Sequence, residues 1–217
     1  MTSKRIVIVG SGGHAVSVAD VARSAGFEVV GFTSESDAGR ELQGVPIFSI
    51  IPDAHVSSGG AVAIAVGDNF RRQREWEKLT GKGPTLDFPA LCHERAVVAS
   101  DVQLSPASVV MQGAIVVSGA VVGTGAVINS GSILDHESSL ADFASLAPGA
   151  VVGGRVKIGA RTAVSIGAVV RHGLSIGRDT VVGAACYADK DLPNQVVAYG
   201  VPARVQRSRE PGDPYLG

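Results

Sequence analysis

Residues 109–134 read VVMQGAIVVSGAVVGTGAVINSGSIL, and their aliphatic side chains return every six positions. The series runs without a gap through Val98, Leu104, Val110, Val116, Val122, Ile128, Leu134, Leu140, Leu146, Val152, Ile158, Val164, Val170, Ile176 and Val182. A helix turns once in 3.6 residues and would scatter these positions around its axis, whereas an even period keeps them on one face of extended chain. Two residues before each aliphatic the side chain is usually small, as at Ala96, Ser108, Ala114, Ala120, Ala126, Ser132, Ser138, Ala144, Ala150, Thr162, Ala168 and Thr180. A glycine often follows one residue after, at Gly123, Gly153, Gly159, Gly177 and Gly183, where a tight corner calls for a positive φ. An inward aliphatic, a small residue and a turn residue, repeated in this way, describe a solenoid of short strands and corners, a hexapeptide β-helix.

Three hexads per coil predict a triangular prism of about five coils, stacked at a strand spacing of ~4.8 Å into a rod roughly 24 Å long. Each inward Val, Leu or Ile is covered by those above and below, so stability comes from stacking neighbours. Such a core needs aliphatics rather than rings, which fits 45% hydrophobic residues with only 5% aromatic. The flat faces of a prism commonly associate about a symmetry axis.

At 217 residues, with periodicity beginning near residue 96, two domains are expected. The formal net charge of −1, without a long run of like charge, leaves no footprint for nucleic acid or an anionic membrane, so small-molecule partners are expected. The apolar run Ile6–Val9 is too short for a signal peptide, and no stretch approaches the ~20 apolar residues of a membrane span. Cys92 and Cys186 stand alone, without metal or redox spacing, which suits a reducing compartment. The expected location is the cytoplasm, and no metal is expected.

The first ninety residues read differently. RIVIVG at 5–10 is a buried parallel strand; a helix pattern follows from Ala15 to Ala25, with Gly26 as its cap. Further strands fit 28–32 and 61–66, and 70–79 reads as a charged surface helix. Alternating strands and helices predict a small Rossmann-like α/β unit that binds ligand at the carboxyl ends of its strands. Gly10-Ser11-Gly12-Gly13-His14-Ala15 lies between the first strand and its helix. Glycines there let backbone N–H groups approach a phosphate, and the helix N-terminus adds a positive dipole end. Ninety residues are too few for both mononucleotide-binding halves of an NAD site, so a diphosphate ligand of another kind is expected. Ser34, Glu35 and Gly67 share that carboxyl edge with Gly12, Gly13 and His14.

The GSGGH turn, the short α/β unit, the hexapeptide coils carrying Asp135-His136-Glu137 and the ending Gly200-Val201-Pro202-Ala203-Arg204 together resemble bacterial hexapeptide-repeat sugar acetyltransferases. These comprise the sialic acid O-acetyltransferase family and the nucleotide-4-amino-sugar N-acetyltransferases, and the resemblance spans about residues 5–205. It implies a left-handed parallel β-helix, a homotrimer with sites between protomers, and acetyl-CoA as co-substrate. It divides the chain into a nucleotide-sugar-binding α/β domain (1–92), an acetyl-CoA and catalytic β-helix domain (93–205) and a C-terminal tail (206–217).

The resemblance puts the general base at His136, paired with Glu137, and sugar-nucleotide contacts at Gly12, Gly13, His14, Gly67 and the residues after the second strand. Those residues are often acidic in the family and here read Thr33-Ser34-Glu35. Acetyl-CoA contacts map to Ser145, Gly154, Ile166 and Ala184. Many members carry a second histidine near the acetyl-CoA where this chain has Ser145, so the thioester contact there differs or is lost.

The chemistry agrees residue by residue. Amine acetylation needs a free lone pair, a thioester carbonyl held near it, a base for the proton shed and donors for the oxyanion. Histidine is the side chain whose ordinary titration suits a base near neutral pH, and a carboxylate, Glu137 or one close by, orients the ring. His136 follows the inward Leu134 by two residues, which sets it at a corner. His172 occupies an equivalent corner without an adjoining carboxylate, and His55 and His93 fall in expected surface loops. Arg204, with Arg207 nearby, suits a CoA phosphate. The expected reaction is N-acetylation of a UDP- or GDP-linked amino sugar. The alternatives are O-acetylation of a sugar such as sialic acid and a non-enzymatic nucleotide-binding β-helix protein; an oxidoreductase has only the glycine turn in its favour.

Overall fold

The structure is a computed structural model and describes residues 4–81 and 86–215. The N-terminal unit runs β1 (Lys4–Val9), α1 (Gly13–Ser24), β2 (Phe27–Thr33), β3 (Glu41–Leu42), β4 (Val45–Phe48), α2 (Asp53–Ser57), β5 (Ala61–Ile64) and α3 (Asn69–Thr80). Its sheet has the order β3-β4-β2-β1-β5. All pairs are parallel except the β3–β4 hairpin at the edge. The three apolar runs read as strands are the adjacent β2, β1 and β5, with β5 at the edge. The hairpin and α2 escape a periodicity reading because they are short, and Pro46 lies in β4 opposite Glu41 of the edge strand β3.

From Leu91 the chain becomes a parallel β-helix. Register repeats every three hexads: Val110 pairs with Ile128, Ile128 with Leu146, Leu146 with Val164 and Val164 with Val182. The first face begins at Leu91–Cys92 and passes through Val109–Val110, Val127–Ile128, Ser145–Leu146, Ala163–Val164 and Val181–Val182. The second begins at Val97–Val98 and ends at Tyr187–Ala188, and the third carries Val121–Val122, Ser139–Leu140, Lys157–Ile158 and Ser175–Ile176. Bridges Leu104–Val122 and Ile176–Leu192 extend the third face, so the rod is longer by a coil than the aliphatic series implies. The series itself forms the core: Leu134, Leu140, Leu146, Val152, Val164 and Val182 are fully buried. Each such side chain contributes about 1.5–3 kcal/mol by leaving water.

The corner glycines serve a different purpose from the one expected. Gly123, Gly153, Gly159, Gly177 and Gly183 are not at positive φ. They are glycine because the next coil passes against them: a β-carbon would come within 2.6 Å of Asp142 N at Gly123 and 2.8 Å of His172 N at Gly153. The left-handed slot lies two residues further on and again recurs every six, at Gly113, Gly119, Gly125, Gly131, Glu137, Phe143 and Gly149. Glu137 therefore sits in a conformation that favours glycine, with φ 56°.

The N-terminal unit packs on the first face. Val18, Ala22 and Phe32 share a core with Leu91, Val109, Met111 and Val127. Arg72, 1% exposed, rivets the two parts. It donates to Val66 O and Gly67 O at the end of the sheet, and to Gly125 O and Phe143 O at a β-helix corner. A buried charge is costly unless its donors are met; here Asn69 Oδ1 takes a further bond at 2.6 Å. Desolvation pushes the guanidinium pKa down to about 10, which leaves it a cation at neutral pH.

Residues 206–215 do not form a free tail. Val196–Gly200 and Ala203–Ser208 form an antiparallel hairpin that caps the rod, and Arg209 beyond it is buried. His93, expected on the surface, is also buried: its Nδ1 accepts the Arg95 N–H at 3.0 Å and its Nε2 lies 3.6 Å from Asp20 of α1.

Candidate functional site

The carboxyl edge of the sheet is open, as the glycine turn requires. Gly12 caps α1, and its carbonyl accepts the Ala15 and Val16 amides, leaving the Gly13 and His14 N–H groups without an intrahelical acceptor. A cavity of about 610 Å³ beside the turn is lined by Gly10, Ser11, Thr33, Ser34, Glu35 and the α3 residues Arg71, Arg74 and Lys78. Ser34 and Glu35 thus lie where the sequence puts them. The α3 residues Arg71, Arg74 and Lys78, read only as surface charge, face the same edge together with Glu75. Asp37 was also missed. It accepts Ser11 Oγ at 2.8 Å and Ser34 Oγ at 3.1 Å, and these bonds hold its carboxyl below the usual range while tying the glycine turn to the loop after β2.

A second cavity, of about 550 Å³, lies where the N-terminal unit meets the first face. His14 and Gly67 line one side; Ser145, Ile166 and Ala184 line the other. Two of the expected acceptor-binding residues and three of the expected acetyl-CoA residues therefore share one space. His14 Nε2 is buried there without a hydrogen-bond partner among the described residues. Burial, and then the nearby Arg72 charge, lower the His14 pKa to about 4, so its ring is neutral at physiological pH. Tyr215, from the chain end, also lines this cavity. A larger cavity, about 660 Å³, opens at the amino end of the sheet by Lys4, Arg5 and Asp87 and gathers none of the expected residues.

His136 stands elsewhere, at the corner between the second and third faces, opposite the first. Leu134 before it is buried, and the imidazole is about half-exposed. Its Nδ1 lies 3.0 Å from Asp135 Oδ1, and the same carboxylate oxygen accepts the His136 amide at 2.7 Å. Those bonds hold the Asp135 carboxyl below its ordinary range. The carboxylate on the ring is thus Asp135 rather than Glu137, whose left-handed backbone sends its side chain outward to 3.9 Å from Arg155. Gly154, one coil on at the same corner, lies directly against the imidazole, and His172 follows a coil later. Gly154 accordingly accompanies His136 and is absent from the cavity that holds Ser145, Ile166 and Ala184. Arg204 bonds Asp189 at 3.1 Å on the capping hairpin and joins neither cavity.

One feature of the second face bears on these separations. Its outward positions are Val97, Ile115, Ile133, Val151, Val169 and Tyr187, an unbroken apolar column; Val97 is 64% exposed. The outward positions of the third face, Val121, Ser139, Lys157 and Ser175, are mostly polar.

The family model described as the PglD N-terminal domain matches residues 5–79. The perosamine N-acetyltransferase of Caulobacter crescentus, solved with CoA and GDP-perosamine, is 32% identical with a TM-score of 0.86, over 94% of this chain and 97% of that one. The acetyltransferase domain of PglB from Neisseria gonorrhoeae, solved with acetyl coenzyme A, is 27% identical with a TM-score of 0.85, over 94% of this chain and all of that one. A galactoside O-acetyltransferase of Lactococcus lactis is 40% identical over 47 residues, which spans only 23% of that relative. The fold held in common is the left-handed parallel β-helix behind a small α/β domain.

Proposed function

Since the chain belongs to the hexapeptide-repeat nucleotide-sugar acetyltransferases, we propose that it transfers the acetyl group of acetyl-CoA to the amino group of a sugar carried on UDP or GDP. The observation that carries this reading is the cavity walled by His14 and Gly67 on one side and by Ser145, Ile166 and Ala184 on the other. An acceptor anchored by its diphosphate at the glycine turn, near Ser34 and Glu35, extends its sugar toward that space. The solved perosamine N-acetyltransferase, with both CoA and a GDP-sugar bound, supports the pairing of ligands.

His136 is the proposed base, and it needs a second copy of the chain. The apolar column of the second face supports a homotrimer with that face turned to the axis. Cyclic packing then sets the second–third corner of one protomer, with His136 and Gly154, against the first–second corner of the next, with Ile166 and Ala184. In that assembly the amine nitrogen attacks the thioester carbonyl, the C–S bond breaks, and His136 takes the proton from nitrogen and returns it to the departing thiolate. Asp135 holds the ring in place. The free thiols Cys92 and Cys186 support a reducing compartment, and we place the protein in the cytoplasm.

The test is turnover of acetyl-CoA with a panel of UDP- and GDP-linked amino sugars, following released CoA thiol and the mass of the acceptor. One acetyl gained on an amine is expected. Thiol release only with hydroxyl acceptors would turn the reading to O-acetylation, and none with any acceptor would overturn it.

A further inference from the structure

The C-terminal segment returns to the cavity between the two domains. Arg209 anchors it: Nη1 donates to Asp179 O at 2.9 Å, Nη2 donates to Asp213 O, and the guanidinium lies 5.6 Å from the centre of the Tyr215 ring. Asp179 is itself fixed by a bidentate bond from Arg161, at 2.7 and 2.6 Å. The ring of Tyr215 thereby becomes part of the wall shared by His14, Gly67 and Ser145.

Its hydroxyl is held but not used up. The oxygen accepts the Asn69 backbone N–H at 3.1 Å, while the hydroxyl reaches Gly67 O only at 3.5 Å, where a bond is weak. Ser145 faces the same hydroxyl from the β-helix. Burial raises the phenol above its ordinary titration range, so the proton stays on oxygen at neutral pH. Ser145 occupies the place where the family resemblance leads one to expect a histidine beside the acetyl donor. The tyrosine brings a donor to that place from a distant part of the sequence, and the unpartnered His14 Nε2 opens on the same space.

We propose that Tyr215 contacts the acetyl donor, its hydroxyl giving the thioester carbonyl oxygen the hydrogen bond that Ser145 replaces poorly. This rests on the acetyl-transfer reading above. The carbonyl oxygen gains negative charge as the amine adds, so a donor fixed in advance acts most strongly in the transition state.

Tyr215→Phe keeps the ring on Arg209 and removes only the hydroxyl. In the full-length trimer, kcat/KM for acetyl-CoA should fall about 10²-fold, the low end for loss of one oxyanion donor. Affinity for CoA, which has no acetyl carbonyl, should stay unchanged by calorimetry. Adding Ser145→His to Tyr215→Phe should restore part of the lost rate. A Tyr215→Phe enzyme as active as wild type refutes the contact. Equal losses of CoA affinity and rate also refute it, by marking a merely structural ring. If wild-type protein turns over no acetyl-CoA, the function reading falls and this inference with it; an active wild type with an unimpaired variant overturns the inference alone.

Discussion

The imidazole of His136 occupies the space in which Gly154, one coil further along the prism, would carry a β-carbon. The ring is thus positioned by an absence of side chain below it and by Asp135 beside it. Gly154→Ala should displace the ring and lower kcat toward the level of His136→Ala, itself down roughly 10² to 10⁴-fold as for loss of a general base. The double variant should be no worse than His136→Ala, because both changes remove one function. Wild-type kcat in Gly154→Ala would show that the ring is free to act from another position.

The two neighbouring carboxylates should separate in kinetics. Asp135 bonds both the ring and the amide of His136, whereas Glu137 reaches out to Arg155. Asp135→Asn should cost roughly 10- to 100-fold in kcat by loosening the imidazole and losing charge, and Glu137→Gln under about threefold. The reverse order in steady-state assays would return the orienting role to Glu137.

The apolar column of the second face makes assembly and activity one measurement. Val151→Asp with Val169→Asp places two charges where three copies are proposed to meet, and desolvating them is costly. Light scattering should report smaller species, with activity lost in parallel. Ser175→Asp, on the outward side of the third face, should change neither. A dissociated but fully active protein would place the whole site within one protomer.

His14 should set part of the acid sensitivity of the fold. Its pKa falls from 6.5 in the unfolded chain to about 4 in the folded one. Between those values the unfolded state binds the proton and the folded state does not, so stability is complete above pH 6.5 and declines as pH drops toward 4. The shift corresponds to about 3 kcal/mol. Denaturant unfolding across that interval should show the slope, and His14→Gln should flatten it. An identical slope in the variant would assign the effect to other groups.

The β-helix was legible because each hexad repeats one local solution: aliphatic inward, small residue before it, corner after it. The glycine turn was legible for the same reason, since strand, turn and helix are adjacent in sequence. His136 could be placed at a corner from Leu134 alone. The apolar column was available too, as six outward positions one coil apart, although a reading set on the inward series passes over it.

What the sequence by itself determined is therefore everything that depends on near neighbours and fixed periods: two domains, the prism, its core, and the corner bearing His136. The tertiary structure alone decided which groups from distant segments share a space. Arg72 meeting carbonyls of both domains, Asp135 rather than Glu137 on the imidazole, corner glycines chosen by the next coil rather than by φ, and Tyr215 returning to Ser145 are all of this kind. Local periodicity fixes where a side chain points, but contact and desolvation depend on what the rest of the chain brings there.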